Sequence, residues 1–193
     1  DLYSLRFLLS FDADGSMNTI RLMPVPAAST AKPVAYNKEK MQERDITVGA
    51  DDFKLPGTLT LPVGKKKAPV VILVHGSGPQ DRDETVGPNK PFRDLAWGLA
   101  ERGIATVRYD KRTKVYGAAC VPEGRNIDYD TESVDDAVAI IAWAKELPEV
   151  DADSVYVLGH SLGATLAPRI AEQADGLTGI ILVAALARPF RSE

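Results

Sequence analysis

The chain has 193 residues, and 23 lysines and arginines against 27 aspartates and glutamates leave a formal charge of −4. No basic patch is dense enough to act as a nucleic-acid footprint; Lys65, Lys66 and Lys67 form only a short turn cluster. Apolar runs such as 70–74 are too short to span a bilayer, and the single cysteine, Cys120, excludes an internal disulfide or a cysteine metal cluster.

In chain order, 4–25 reads as a β-hairpin: two β-prone runs flank "DADGS", and Asp-Gly between such runs is a hairpin turn signal. Two strands alone are marginal in water, so this piece is expected to need partners lying before Asp1. "PVPAASTAKPVAYNK" follows, rich in proline and small residues, and reads as a linker. From residue 42 the alternation of "RDITVGADDFKLPGTLTLP" predicts a second hairpin. "APVVILVHG" is a continuous β-branched run, as in a strand buried on both faces. "PFRDLAWGLAERG" places Phe92, Leu95, Ala96 and Leu99 on one helical face, with Pro91 at the first helical position and Gly103 past the end. "IATVRYD" is another buried strand, and 111–130 reads as a long loop. The next helix carries a stripe of Val134, Ala137, Val138, Ile141 and Ala144. Asp130 or Thr131 is expected to cap it, and Asp135 and Asp136 complement its positive start. "SVYVLG" is a strand, 162–174 a helix and 179–187 a strand. Strand and helix thus alternate from residue 69 onward, which predicts an α/β fold with a doubly wound, mostly parallel sheet.

In such a sheet, ligands bind at the carboxyl ends of the strands. Ser161 sits at one, inside Gly159-His160-Ser161-Leu162-Gly163. A sharp strand-to-helix turn strains the serine backbone and crowds the residues two away, which the two glycines relieve. A serine serving only as a helix cap would not need glycine on both sides. The second element, "LVHGSGPQDRDE", also follows a buried strand. Acyl transfer needs aimed N–H donors for the developing oxyanion. The backbone N–H groups of Leu162, directly after the serine, and of Ser77, just past His75 and Gly76, are the candidates. Gly76 and Gly78 let the backbone approach a substrate closely.

These stretches, "VVILVHGSGPQDRDETVGPNKPFRDLAWGLAERGIATVRYDKRT" and "VYVLGHSLGATLAPRIA", resemble the α/β-hydrolase superfamily, most of all bacterial esterases related to dienelactone hydrolase. The resemblance implies three segments: 1–25, the β-hairpin remnant of a small N-terminal domain; 26–41, a linker; and 42–193, a partial hydrolase domain. It also implies hydrolysis of a small-molecule carboxylic ester by a Ser–His–acid triad with no metal or organic cofactor. Ser161 is then the nucleophile, and Ser77 and Leu162 form the oxyanion hole. The second glycine often following the motif is Ala164 here, and Pro168 is expected to disturb the helix after the turn.

A triad needs a histidine for the serine proton and an acid to orient it. His160 adjoins Ser161 on the turn, where neighbouring side chains diverge, and His75 is expected to brace the oxyanion loop. The superfamily order is Ser, acid, His, and no histidine follows Ser161. The acid and histidine are therefore expected beyond Glu193, with the chain a C-terminally truncated fragment that is weak or inactive by itself. Its last strand would present an open apolar edge. The charged residues Asp81, Arg82, Asp83, Glu84 and Lys90 read as a solvated rim, and Asp110, Lys111 and Arg112 as an ion pair bracing the loop. Residues 111–130 are candidates to cover an acyl pocket, with Cys120 a small hydrophobe. A serine peptidase or thioesterase of the same superfamily, and a non-catalytic binding protein on this fold, stay open as alternatives.

Overall fold

The computed structural model describes residues 5–24, 35–50, 52–121 and 127–186. The chain divides into two compact units, Asp1–Ala35 and Tyr36–Glu193. Residues 26–34 of the expected linker and 187–193 at the end lie outside the described residues.

The first unit holds an antiparallel hairpin of β1 (Leu5–Phe11) and β2 (Met17–Pro24), with an irregular register at Ser10/Phe11. The "DADGS" turn closes it. Asp14 accepts the Ser16 N–H at 2.9 Å, and Gly15 takes φ 84°, which glycine adopts at no steric cost.

The second unit is built on one sheet of six strands. These are β3 (Met41–Val48), β4 (Leu55–Pro62), β5 (Ala68–Val74), β6 (Ala105–Tyr109), β7 (Val150–His160) and β8 (Gly179–Val183), in the spatial order β3-β4-β6-β5-β7-β8. β3, β4 and β6 pair antiparallel, and β6, β5, β7 and β8 pair parallel. Strand alternation divides the core. Val70, Ile72 and Val74 face one side and pack with Ala137, Ile141, Leu166 and Ile170, from α3 (Asp135–Lys145) and α4 (Leu162–Gln173). Val71 and Leu73 face the other side and pack with Phe92 of α1 (Pro91–Ala100) and with Leu158. Covering both faces is what the continuous apolar run of β5 requires.

Several local expectations are corrected. Leu95 is exposed, and the buried stripe of α1 is Phe92, Ala96 and Ala100, spaced four apart. The expected loop at 111–130 contains a short helix, α2 (Arg112–Tyr116), followed by a 3-10 turn at Gly117–Cys120. Its signal is not apolar periodicity. Arg112 turns inward and makes two hydrogen bonds to Asp136, at 2.9 and 2.7 Å, both side chains being buried. Neither Asp130 nor Thr131 caps the following helix by its side chain. Asp128 accepts the Thr131 N–H at 2.8 Å, because a π-type turn at Asp130–Val134 precedes α3. The last strand ends at Val183 rather than 187, since Ala184 takes φ 56° and leaves the extended conformation. β8 is the terminal strand in the sheet order, and Ile181, Leu182 and Val183 are exposed on it. α4 runs through Pro168 without a break. The proline ring lies on the solvent face, and the helix continues although the Ala164 carbonyl loses its helical donor.

Candidate active site

β5, β6 and β7 run parallel, so their carboxyl ends bring 75–90, 110–112 and 160–163 to one edge of the sheet. At the end of β7, Ser161 has φ 53° and ψ −111°, a conformation costly for a residue with a side chain. The flanking glycines are forced by contact. A Cβ on Gly159 would lie 2.3 Å from the Gly163 carbonyl, and one on Gly163 would lie 2.3 Å from the Val74 carbonyl oxygen. The turn is held from the other side by the Ser161 N–H, which donates to the Val183 carbonyl at 2.9 Å. Leu162 opens α4, where the first N–H groups of a helix have no partner within it.

The loop after β5 packs directly on this turn. A Cβ on Gly76 would meet the Ser161 Cβ at 3.3 Å, so only glycine brings the backbone so near the serine without displacing it. Gly78 takes φ 86° in open space, a turn requirement rather than a close approach. His75 is buried, its ring edge-on to Tyr109 at 4.9 Å and tilted against Phe92 at 5.5 Å. Burial, reinforced by the Lys111 ammonium, lowers its pKa to about 4. It is neutral at pH 7 and held by ring packing, and its buried Nε2 makes no hydrogen bond to any described residue.

The residues expected to form a solvated rim are each held by a fixed partner, and of them Glu84 is buried while the Lys90 side chain stays 40% exposed. Glu84 is buried in a left-handed conformation, φ 50°, that aims its carboxylate back at the loop. It accepts the Gly76 N–H at 2.6 Å and faces His160 Nδ1 at 3.0 Å. Arg82 makes a bidentate pair with Asp110, at 3.2 and 2.9 Å, tying the loop to the end of β6. Asp83 bonds Lys90 and buried Arg108, and Arg108 also bonds Glu43. Lys111, also buried, donates to the Gly76 carbonyl at 3.0 Å and lies 3.3 Å from Glu132. The expected brace at 110–112 is thus several separate pairs reaching different elements. Glu84 carried no sequence signal for its role, since a glutamate with positive φ is indistinguishable in sequence from a surface acid.

Cys120 is buried, and burial raises its thiol pKa. A cavity of about 330 Å³ lies on α1, lined by Tyr36, Leu95, Leu99 and Arg102 rather than by Ser161. Among the described residues no group of three or more His, Cys, Asp or Glu is arranged to hold a metal ion, and no helix is long and apolar enough to cross a membrane.

Residues 65–191 match the family Hydrolase_4, described as serine aminopeptidase, S33. Esterase EstD of Thermotoga maritima is 40% identical over 182 residues, covering 94% of this chain and 42% of that protein. A putative carboxymethylenebutenolidase of Synechocystis is 28% identical over 128 residues, covering 61% of this chain and 49% of that protein. The chain thus spans less than half the length of either relative. Among solved structures, the dienelactone hydrolase-like promiscuous phosphotriesterase P91, from metagenomic libraries, superposes with a TM-score of 0.55 at 18% identity, covering 76% of this chain and 60% of that one. The strand order and helix placement are those of an α/β-hydrolase sheet that is not closed.

Proposed function

The chain belongs to the Hydrolase_4 family of α/β-hydrolases, and from that premise we propose that it carries the nucleophile and oxyanion hole of a serine hydrolase acting on small carboxylic esters. Ser161 Oγ attacks the ester carbonyl, and the Ser77 and Leu162 N–H groups receive the oxyanion. The alcohol leaves, and water then hydrolyses the acyl-enzyme. One observation carries the reading: Ser161 is held at φ 53° between glycines that tolerate no Cβ, with Gly76 packed against it. A structural serine would not require that strain. The chemistry calls for no metal or organic cofactor.

The proton of Ser161 needs a base other than the two histidines in the sequence. His75 is buried against Phe92 and Tyr109, and His160 directs Nδ1 at Glu84. We take the histidine and its acid to come from beyond residues 1–193, as the superfamily order implies. The 40% identity to an esterase favours oxyesters. The family description favours a second reading, an aminopeptidase using the same turn.

The test compares hydrolysis of p-nitrophenyl acetate and of an aminoacyl p-nitroanilide by the protein expressed from its complete reading frame. Ester turnover lost in Ser161→Ala supports the esterase reading. Faster turnover of the anilide selects the peptidase, and activity unchanged in Ser161→Ala removes the serine from the mechanism.

A further inference from the structure

Gly76 is gripped by charged groups on both sides. Its N–H donates to Glu84 at 2.6 Å, and its carbonyl accepts from the Lys111 ammonium at 3.0 Å. That carbonyl belongs to the Gly76–Ser77 peptide, whose N–H is the proposed oxyanion donor. We propose that Lys111 is a positioning residue that orients and polarises the Gly76–Ser77 amide, strengthening the Ser77 N–H as an oxyanion donor. The inference rests on the reading of Ser161 as nucleophile and Ser77 as donor.

Among the described residues every peptide bond is trans, and in a planar trans peptide the C=O and N–H point in opposite directions. Fixing the Gly76 oxygen on Lys111 therefore aims the Ser77 N–H away from Lys111. Gly76 itself is fixed beside the Ser161 Cβ, so the plane cannot drift from the serine. Electronics act in the same direction. A cation on the carbonyl oxygen draws density from the amide and leaves the N–H more positive. Charge-assisted bonds are roughly twice as strong as neutral ones, and low local dielectric enhances them further.

Lys111 is only 2% exposed. Burying an ammonium is costly unless it is paired and hydrogen-bonded, and Glu132 supplies the countercharge at 3.3 Å, itself held by the Thr113 hydroxyl at 3.1 Å. A neutral side chain would satisfy one carbonyl at far lower cost. The charge is the feature that simple bracing leaves unexplained.

The experiment compares wild type with Lys111→Met in the protein from its complete reading frame. It reads kcat and KM for p-nitrophenyl acetate and the affinity for a boronic acid, which forms a tetrahedral adduct resembling the transition state. A residue acting through the oxyanion hole lowers kcat by about 10- to 100-fold and weakens the boronic acid by a similar factor, with KM within about threefold. A folded Lys111→Met protein with kcat and boronic acid affinity within about twofold of wild type overturns the proposal, as does a loss confined to KM. If Lys111→Met does not fold, Lys111→Gln, a neutral donor, is held to the same criteria with a loss of about 3- to 10-fold. Fluorophosphonate labelling of wild type separates the two readings. Labelled Ser161 with an unaffected Lys111 variant overturns only the role of Lys111, whereas absent labelling overturns both.

Discussion

Gly163→Ala is a severe test of how the serine turn is built. The added Cβ would lie 2.3 Å from the Val74 carbonyl oxygen and 2.6 Å from that of His75. Ordinary carbon–oxygen contact begins near 3.3 Å, so α4 must retreat from β5 by about 1 Å. The obstructing atoms are backbone, and Val74 is locked in register with Gly159 of β7. No side-chain rotation relieves the clash. Overpacking of this kind costs about 1–3 kcal/mol, and rigid backbone on both sides places this case toward the upper end. At about 2–4 °C per kcal/mol for a chain of this size, Tm falls by roughly 4–12 °C. The same retreat carries the Leu162 N–H and Ser161 with it, and a 1 Å misplacement costs on the order of 100-fold in rate. Thermal denaturation and the rate of fluorophosphonate labelling measure the two effects in one sample. A Gly163→Ala protein with wild-type Tm and labelling rate would refute the packing argument.

Gly98 gives the opposite sign. It lies inside α1, and a Cβ there would meet only Tyr36 and Arg102 side-chain atoms at 3.7 and 3.8 Å, ordinary contacts. Gly98→Ala is expected to stabilise by about 0.5–1 kcal/mol, read as a higher urea midpoint; a lower midpoint contradicts this. His75 predicts a pH dependence. Its folded pKa of about 4 lies below the unfolded 6.5, so the unfolded state binds the proton first. Stability is full above pH 6.5 and falls as pH drops toward 4, by roughly 3 kcal/mol in all. In His75→Gln this part of the slope disappears from urea unfolding at pH 7 and 4.5, whatever packing it costs at pH 7; an unchanged slope rules the group out. Cys120 is buried with a raised thiol pKa. Its reaction with Ellman's reagent at pH 7 should be slow in the native protein and fast in denaturant, and equal rates would show the thiol to be accessible.

The sheet was legible because its signals are periodic. β5 is a continuous apolar run, β3 and β4 alternate in sequence, and α3 carries an apolar face, although its buried residues include Ile140 and Asp136 while Val138 of the expected stripe is only half-buried. The serine turn was legible because backbone contacts leave only glycine at 159 and 163. What sequence could not show depends on single polar contacts. α2 is set by Arg112 reaching Asp136, and no periodicity encodes that pair. Glu84 looks like a surface acid until its positive φ folds it under Gly76. Lys111 stands out in sequence as part of a charged cluster, but the Gly76 carbonyl it bonds is backbone and leaves no trace in residue type.

Ester hydrolysis at this turn requires Ser161 to be an activated nucleophile. The most direct measurement is incubation of the protein from its complete reading frame with a fluorophosphonate, followed by mass-spectrometric mapping of the adduct. One covalent phosphonyl group per chain is expected, on Ser161, absent after prior denaturation. A fully folded protein with no adduct, or with the adduct on another residue, would contradict it.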